Sequence, residues 1–176
     1  MYNRGYYTSP HGPSSSEWYT PADIIERARW VMHGIDLDPY SSDVAQRVVQ
    51  AEWYFTAQTD GIRSTWPAVR SVWANPPYGK GLIDPCINRL ISEYHAGTFQ
   101  TGIVLINNAT ETTWFQALTR ICMGGCMFAR RIDFIDGSGG AQKNKNTRGQ
   151  IALYIGDEQR RFDESFRELG RCFDLT

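Results

Sequence analysis

No Cys-x-x-Cys pair occurs in this chain, and its three histidines (His11, His33, His95) are scattered, so the spacing that builds a zinc site is missing and no metal is expected. The four cysteines (Cys86, Cys122, Cys126, Cys172) read instead as buried or half-buried free thiols in a reducing compartment. No apolar run is long enough to span a bilayer. The N-terminus is polar, without the apolar core of a signal peptide, which leads us to expect a cytoplasmic protein with no membrane partner. Charge of one sign is also lacking. Eighteen Lys and Arg face 19 Asp and Glu for a net charge of −1, so the chain has no overall basic footprint for nucleic acid. No internal repeat and no linker between folded units is visible.

What is present is ordinary for a globular protein: 176 residues, 41% apolar and 21% charged. That length allows one domain with a real core and leaves little room for a second. Residues 1–16, rich in Tyr, Ser, Gly and Pro and without periodicity, are expected to form a flexible N-terminal arm, and 17–176 a single domain. Charge is unevenly placed. Between Arg120 and Arg148 stand six basic residues (Arg120, Arg130, Arg131, Lys143, Lys145, Arg148) against two acidic ones, Asp133 and Asp136. Such a local basic face suits phosphate contacts, and a solvated loop accounts for it equally on charge alone.

The most informative stretch is Ala74-Asn75-Pro76-Pro77-Tyr78-Gly79. It follows Val69–Trp73, which alternates apolar and polar residues as a strand does. Two prolines cannot continue a sheet ladder, so the chain leaves the sheet at Asn75, at the carboxyl end of a strand, where open α/β sheets bind ligands. The residues suit an exocyclic amine on a planar ring. The Asn75 side-chain oxygen and the Pro76 carbonyl supply acceptors for its two N–H groups, and Tyr78 supplies a face on which the ring stacks. Two acceptors would hold the nitrogen lone pair out of conjugation and aimed at an electrophile. The four residues resemble the Asn/Asp-Pro-Pro-Tyr/Phe motif of amino-group methyltransferases that use S-adenosylmethionine (AdoMet). A Pro-rich turn with a buried aromatic is the structural alternative.

Three shorter signals precede it. Thr20 reads as an N-cap and Pro21 as the first residue of a helix to about Met32, with Ile24, Ile25, Ala28 and Val31 on its inner face and Gly34 at its stop. Ile35–Tyr40 reads as a strand stopped at Asp38-Pro39, followed by a helix that Ser41, Ser42 and Asp43 open. Asp36 lies two residues before Asp38 and so faces the same side of that strand. Thr59-Asp60-Gly61 is a turn in which Asp60 serves either the turn itself or the ribose or adenine of a nucleotide.

Beyond Asn75, a helix opens at Asp84-Pro85, and Thr101–Ile106 is a central parallel strand ending at Asn107-Asn108. A helix follows over 110–121. Short strands are expected at 126–129 and 132–135, then a flexible loop over 136–150, a last strand at 151–155 and an amphipathic helix at 161–169 stopped by Gly170.

Taken in order, Trp-Tyr19-Thr20-Pro21, Asp36-Leu-Asp38-Pro39, Asp60-Gly, Asn75-Pro76-Pro77-Tyr78-Gly and Arg131-Ile-Asp-Phe resemble the phage-encoded DNA N6-adenine methyltransferase (Dam) family over about residues 16–156. The resemblance implies an α/β, Rossmann-like class I AdoMet methyltransferase fold. Its sheet would be mostly parallel and flanked by helices, with the last strand antiparallel. It implies AdoMet as cofactor and DNA as partner, with an adenine flipped into a site formed by Asn75, Pro76, Pro77 and Tyr78. It also implies a cofactor set of Tyr19, Thr20, Pro21, Asp36, Asp38, Pro39, Asp60 and Asn75, in which the Thr20 hydroxyl and a helix N-terminus receive the methionine carboxylate and Asp38 the ammonium group. Lys80, Arg130, Arg131, Lys143, Lys145 and Arg148 become candidates for phosphate contacts. The chain departs from the common Leu-Asp-Pro-Phe-x-Gly-x-Gly form by carrying Ser41-Ser42-Asp43 in place of the glycines. A phage would use such an enzyme to modify its DNA or evade restriction, in the host cytoplasm. N4-cytosine or protein glutamine methylation shares the same motif, and a non-catalytic antirestriction relative is the alternative from another class.

Overall fold

The computed structural model describes residues 19–79, 81–135 and 146–175. The expected N-terminal arm, Lys80, Lys143, Lys145 and residues 136–145 of the expected loop lie outside the described residues. In chain order the elements are α1 (Ala22–Met32), β1 (Leu37–Asp38), α2 (Gln46–Val49), β2 (Trp53–Tyr54), β3 (Ser71–Ala74), α3 (Ile83–His95), β4 (Thr101–Asn107), α4 (Thr113–Thr119), β5 (Gly124–Phe128), β6 (Gln150–Ile155), α5 (Gln159–Phe166) and β7 (Gly170–Asp174).

The strands form one seven-stranded sheet in the order β2-β1-β3-β4-β6-β5-β7. Its centre is β4, whose first six residues are all buried, as the unbroken apolar run requires. Alternation along the strand sends Ile103 and Leu105 to one face, against Ile25, Ala28, Phe162 and Phe166 of α1 and α5. Val104 and Ile106 go to the other face, against Ile87 and Leu90 of α3 and Trp114 and Leu118 of α4. Helices thus cover both faces, and the sheet is the middle of three layers. On the first face Tyr154, Phe162 and Phe166 stack in series, with ring centres 5.2 and 4.5 Å apart. Cys86, Cys122 and Cys126 are buried and Cys172 half-buried, all as free thiols.

Several expectations change. The sheet is parallel only from β2 through β1 and β3 to β4; β6, β5 and β7 each run antiparallel to their neighbours, so antiparallel pairing is not confined to one last strand. A further strand, β7, follows the last helix. Gly170, expected to stop that helix, opens β7 instead, because it lies so close to β5 that a Cβ there would sit 1.9 Å from the Met127 carbonyl oxygen. Residues 132–135 are not a strand; Ile135 alone pairs with Tyr19, each donating its N–H to the other's carbonyl at 2.9 Å. Thr20 does not cap α1: Pro21 holds the N-cap position and no side chain caps the helix. Among the described residues no helix is long and apolar enough to cross a membrane.

Candidate active site

The chain runs from β1 to β2 on one side and then returns to place β3 on the other side of β1. At such a reversal open α/β sheets take ligands in the crevice outside the carboxyl ends of the strands, which here are the ends of β1 and β3. Asp38 is the last residue of β1, and Asn75 directly follows the last residue of β3. Two motifs far apart in sequence therefore meet at one edge.

Asp38 is 3% exposed. Its Oδ1 accepts the Tyr40 N–H at 3.3 Å and its Oδ2 accepts Gln46 Nε2–H at 3.1 Å. Gln46 also donates to Ser41 Oγ at 2.8 Å and accepts the Ala51 N–H, so Gln46 and Ser41 form a polar bracket beside the carboxyl group. Burial pushes the Asp38 carboxyl up to about 7, against the partial relief of bonds from Ser41, Tyr40 and Gln46. Among the described residues no Arg, Lys or His forms an ion pair with it. A buried carboxylate without a cation is costly, and a ligand ammonium group would relieve that cost.

Asp36, expected beside Asp38, is placed at the amino ends of the strands. Its Oδ2 accepts the N–H of Arg70 at 2.8 Å and of Ser71 at 3.0 Å, fastening the start of β3 to the residue before β1. Asp60 adopts a positive φ of 51°, and its Oδ1 accepts the N–H of Ile62 and Arg63 at 3.1 and 3.3 Å. Gly61 brings this turn against the loop after β1: a Cβ on it would lie 1.9 Å from the Pro39 carbonyl oxygen, so only glycine fits.

On the opposite side of the crevice the half-buried Asn75 donates from Nδ2 to the buried Thr20 Oγ1 at 3.3 Å. In this arrangement Nδ2 faces Thr20 and Oδ1 is left as the acceptor. Pro76 is buried and Pro77 exposed. Tyr78 is open at the ring, being 40% exposed, but closed at the hydroxyl. Its Oη accepts the Asn107 N–H at 2.6 Å and donates to the Leu105 carbonyl at 3.4 Å. Burial of the hydroxyl holds its pKa far above the ordinary tyrosine value, so it stays neutral. An anchored ring with an open face is what stacking on a planar ligand requires.

Thr20 joins the site through its bond with Asn75, whereas Tyr19 pairs with Ile135 and Pro21 holds the N-cap position of α1. The exposed Arg130 and Arg131 follow β5, and the exposed Arg148 precedes β6. Because β6 runs antiparallel to β4, with Gln150 opposite Asn107, and β5 antiparallel to β6, all three arginines leave the sheet at the edge that carries Asn75. Sequence reasoning missed Gln150 and Asn146, which bond at this edge; both were counted into the expected loop, though Asn107 was marked by its place at the end of β4. Among the described residues no group of three or more His, Cys, Asp or Glu side chains is placed to hold a metal.

The DNA N-6-adenine-methyltransferase (Dam) family model matches residues 10–167. The chain is also similar to a DNA N-6-adenine-methyltransferase of Escherichia phage T1, with 24% identity in an alignment of 151 residues that covers 78% of this chain and 61% of that relative. This chain thus spans somewhat under two thirds of the phage relative's length. With a match over most of its residues, the chain belongs to the DNA N-6-adenine-methyltransferase (Dam) family.

Proposed function

We propose that this protein transfers a methyl group from AdoMet to the N6 amine of adenine in DNA. The observation that carries the proposal is the pairing, at one switch point of the sheet, of an Asn75 amide held on Thr20 and a pinned Tyr78 ring with the buried Asp38, which no cation pairs among the described residues. Family membership supports the same reaction. We take the sheet as a Rossmann-like methyltransferase core that forms one catalytic unit.

The residues at the crevice fit AdoMet. Asp38 would take its ammonium group, which matches the carboxyl's burial without a counter-ion among the described residues. Thr20 and the start of α1, with Tyr19 and Pro21, would lie toward its carboxylate, since helix N-termini favour anions. Pro39 and the Asp60 turn would flank the nucleoside. We assign Asp36 to bracing β3 rather than to the cofactor. When bound, AdoMet supplies an electrophilic methyl group on sulfonium.

The chain's own residues would do the rest. The adenine must leave the duplex, because inside the stack its amine is closed to attack. Asn75 Oδ1 and the Pro76 carbonyl accept the two amine N–H groups and keep the nitrogen lone pair out of ring conjugation. Tyr78 stacks on the base. Positioning, more than a strong base, supplies the acceleration. Arg130, Arg131 and Arg148 would meet DNA phosphates at the same edge. If the chain is phage-encoded, it would act in the host cytoplasm, in DNA modification or restriction evasion.

The test is transfer of labelled methyl groups from AdoMet to unmethylated DNA, with mass analysis of the digested nucleosides, wild type beside Asn75→Ala. N6-methyladenine from wild type alone is the expected result. N4-methylcytosine would keep the site and change the base. Absence of both transfer and AdoMet binding would overturn the proposal.

A further inference from the structure

Gln150 is the first residue of β6, and the only polar one among Gln150-Ile151-Ala152-Leu153-Tyr154-Ile155 apart from the Tyr154 hydroxyl. It is 6% exposed, and both ends of its side-chain amide are used. Nε2 donates to Asn107 Oδ1 at 2.8 Å, and Oε1 accepts Asn146 Nδ2–H at 2.6 Å. Asn146 extends the series: Nδ2 also reaches the Ile132 carbonyl at 3.3 Å, and Oδ1 accepts the Arg148 N–H at 3.1 Å. At the other end, the backbone N–H of Asn107 holds the Tyr78 hydroxyl. One line of hydrogen bonds therefore runs from the tyrosine of the Asn75 loop, through the paired ends of β4 and β6, to the two chain segments that carry Arg131 and Arg148.

A buried amide is kept at a cost unless every polar group finds a partner, and here each end has one. What the amide adds is a fixed distance between the Asn107 peptide and the arginine-bearing segments.

We propose that Gln150 is a positioning residue: it holds the Asn107 N–H in place to orient the Tyr78 ring, and through Asn146 it couples that ring to contact of Arg131 and Arg148 with DNA. This rests on the methyltransferase function proposed above and extends it to residues outside the Asn75 motif. Movement of the segments onto a phosphate backbone would then be felt at the stacking ring, and a base would be gripped only when the edge is engaged.

Three variants and one amide test this. Gln150→Leu removes both bonds at nearly constant volume, and should lower kcat about tenfold, the size of one lost hydrogen bond, with KM for AdoMet within about twofold of wild type. Gln150→Glu keeps the acceptor toward Asn146 and can accept from a flipped Asn107 amide, so it should recover kcat to within about threefold of wild type. In a Tyr78→Phe background the loss from Gln150→Leu should shrink to within about twofold, because the hydroxyl through which it acts is gone. Losses that multiply in the double variant, or an unchanged kcat for Gln150→Leu, would overturn the proposal. If Gln150→Leu does not fold, Asn146→Ala outside the strand should give a smaller kcat loss with the same dependence on Tyr78, and its absence counts equally against us. Hydrogen exchange of the Asn107 amide reads the relay without any acceptor. It should stay near the wild-type rate in Gln150→Glu and quicken in Tyr78→Phe and in Gln150→Leu. No change there refutes the relay, whereas an intact relay in a protein that methylates no DNA refutes the function instead.

Discussion

The Tyr78 hydroxyl accepts the backbone N–H of Asn107 at 2.6 Å, which ties the ring after the double proline to the end of the central strand. The ring's freedom is removed before any ligand arrives, and its face remains open. Pre-ordering of this kind lowers the entropy that a bound base would otherwise have to overcome. Tyr78→Phe keeps the face and loses the anchor, and should reduce kcat about tenfold for the one hydrogen bond removed. Tyr78→Ala loses both and should fall about 100-fold or more, since base–aromatic stacking is worth about 1–3 kcal/mol. Single-turnover methylation rates check the order. Equal losses in the two variants would mean the ring does not stack.

The Thr20–Asn75 bond holds the Asn75 amide in place against the residue before α1. Thr20→Val, nearly isosteric, deletes the acceptor and lets the amide turn. It should lower kcat by roughly tenfold, whereas Asn75→Ala should lower it about 100- to 1,000-fold, as loss of a preorganised polar group at a reaction centre does. Thr20→Val is also expected to weaken AdoMet, while Asn75→Ala should leave its binding within a few-fold. Calorimetric AdoMet titrations beside rate measurements separate the two roles.

What could be read from the sequence is what local chemistry determines. The double proline after an alternating strand located Asn75 and Tyr78 at a carboxyl edge, and the unbroken run Thr101–Ile106 located the central strand. Thr20 was misplaced because Thr-Pro before a helix has the local form of a cap, while its real partner lies 55 residues away. Gly170 has the local form of a helix stop, and its actual constraint is the Met127 carbonyl across the sheet. Gln150 lay at the end of a polar, glycine-rich stretch with no periodicity, so nothing nearby distinguished it from loop. Asp36 and Asp38 look equivalent in sequence; only the register of β1 with β3 sends one to the backbone of Ser71 and the other to the crevice.

Arg130, Arg131 and Arg148 stand exposed at the edge that carries the Asn75 loop. If they contact phosphates, replacing each with alanine should weaken DNA binding similarly on any sequence. Each lost contact should also reduce the slope of log affinity against log salt by about 0.9. The affinity for AdoMet should stay near wild type. Fluorescence anisotropy with a labelled duplex across a salt series measures the slope. An unchanged slope in the triple variant would place the DNA path on another face.

Asp38 predicts a pH dependence whose sign can be worked out. Burial raises its carboxyl from 3.8 to about 7, so between those values the folded, unliganded protein holds a proton that the unfolded chain has released. Unliganded stability should therefore fall as pH rises through this window. An ammonium ligand needs the ionised carboxylate, so binding must expel that proton below about pH 7, and AdoMet affinity should climb by up to about tenfold per pH unit there before levelling off. Calorimetry in two buffers of different ionisation enthalpy counts the protons: close to one released per AdoMet near about pH 6, falling toward zero near about pH 8. Asp38→Asn, with no titrating carboxyl, should bind weakly with no such release. A wild-type protein that binds AdoMet near pH 6 without expelling a proton would show that the ammonium group meets some other side chain.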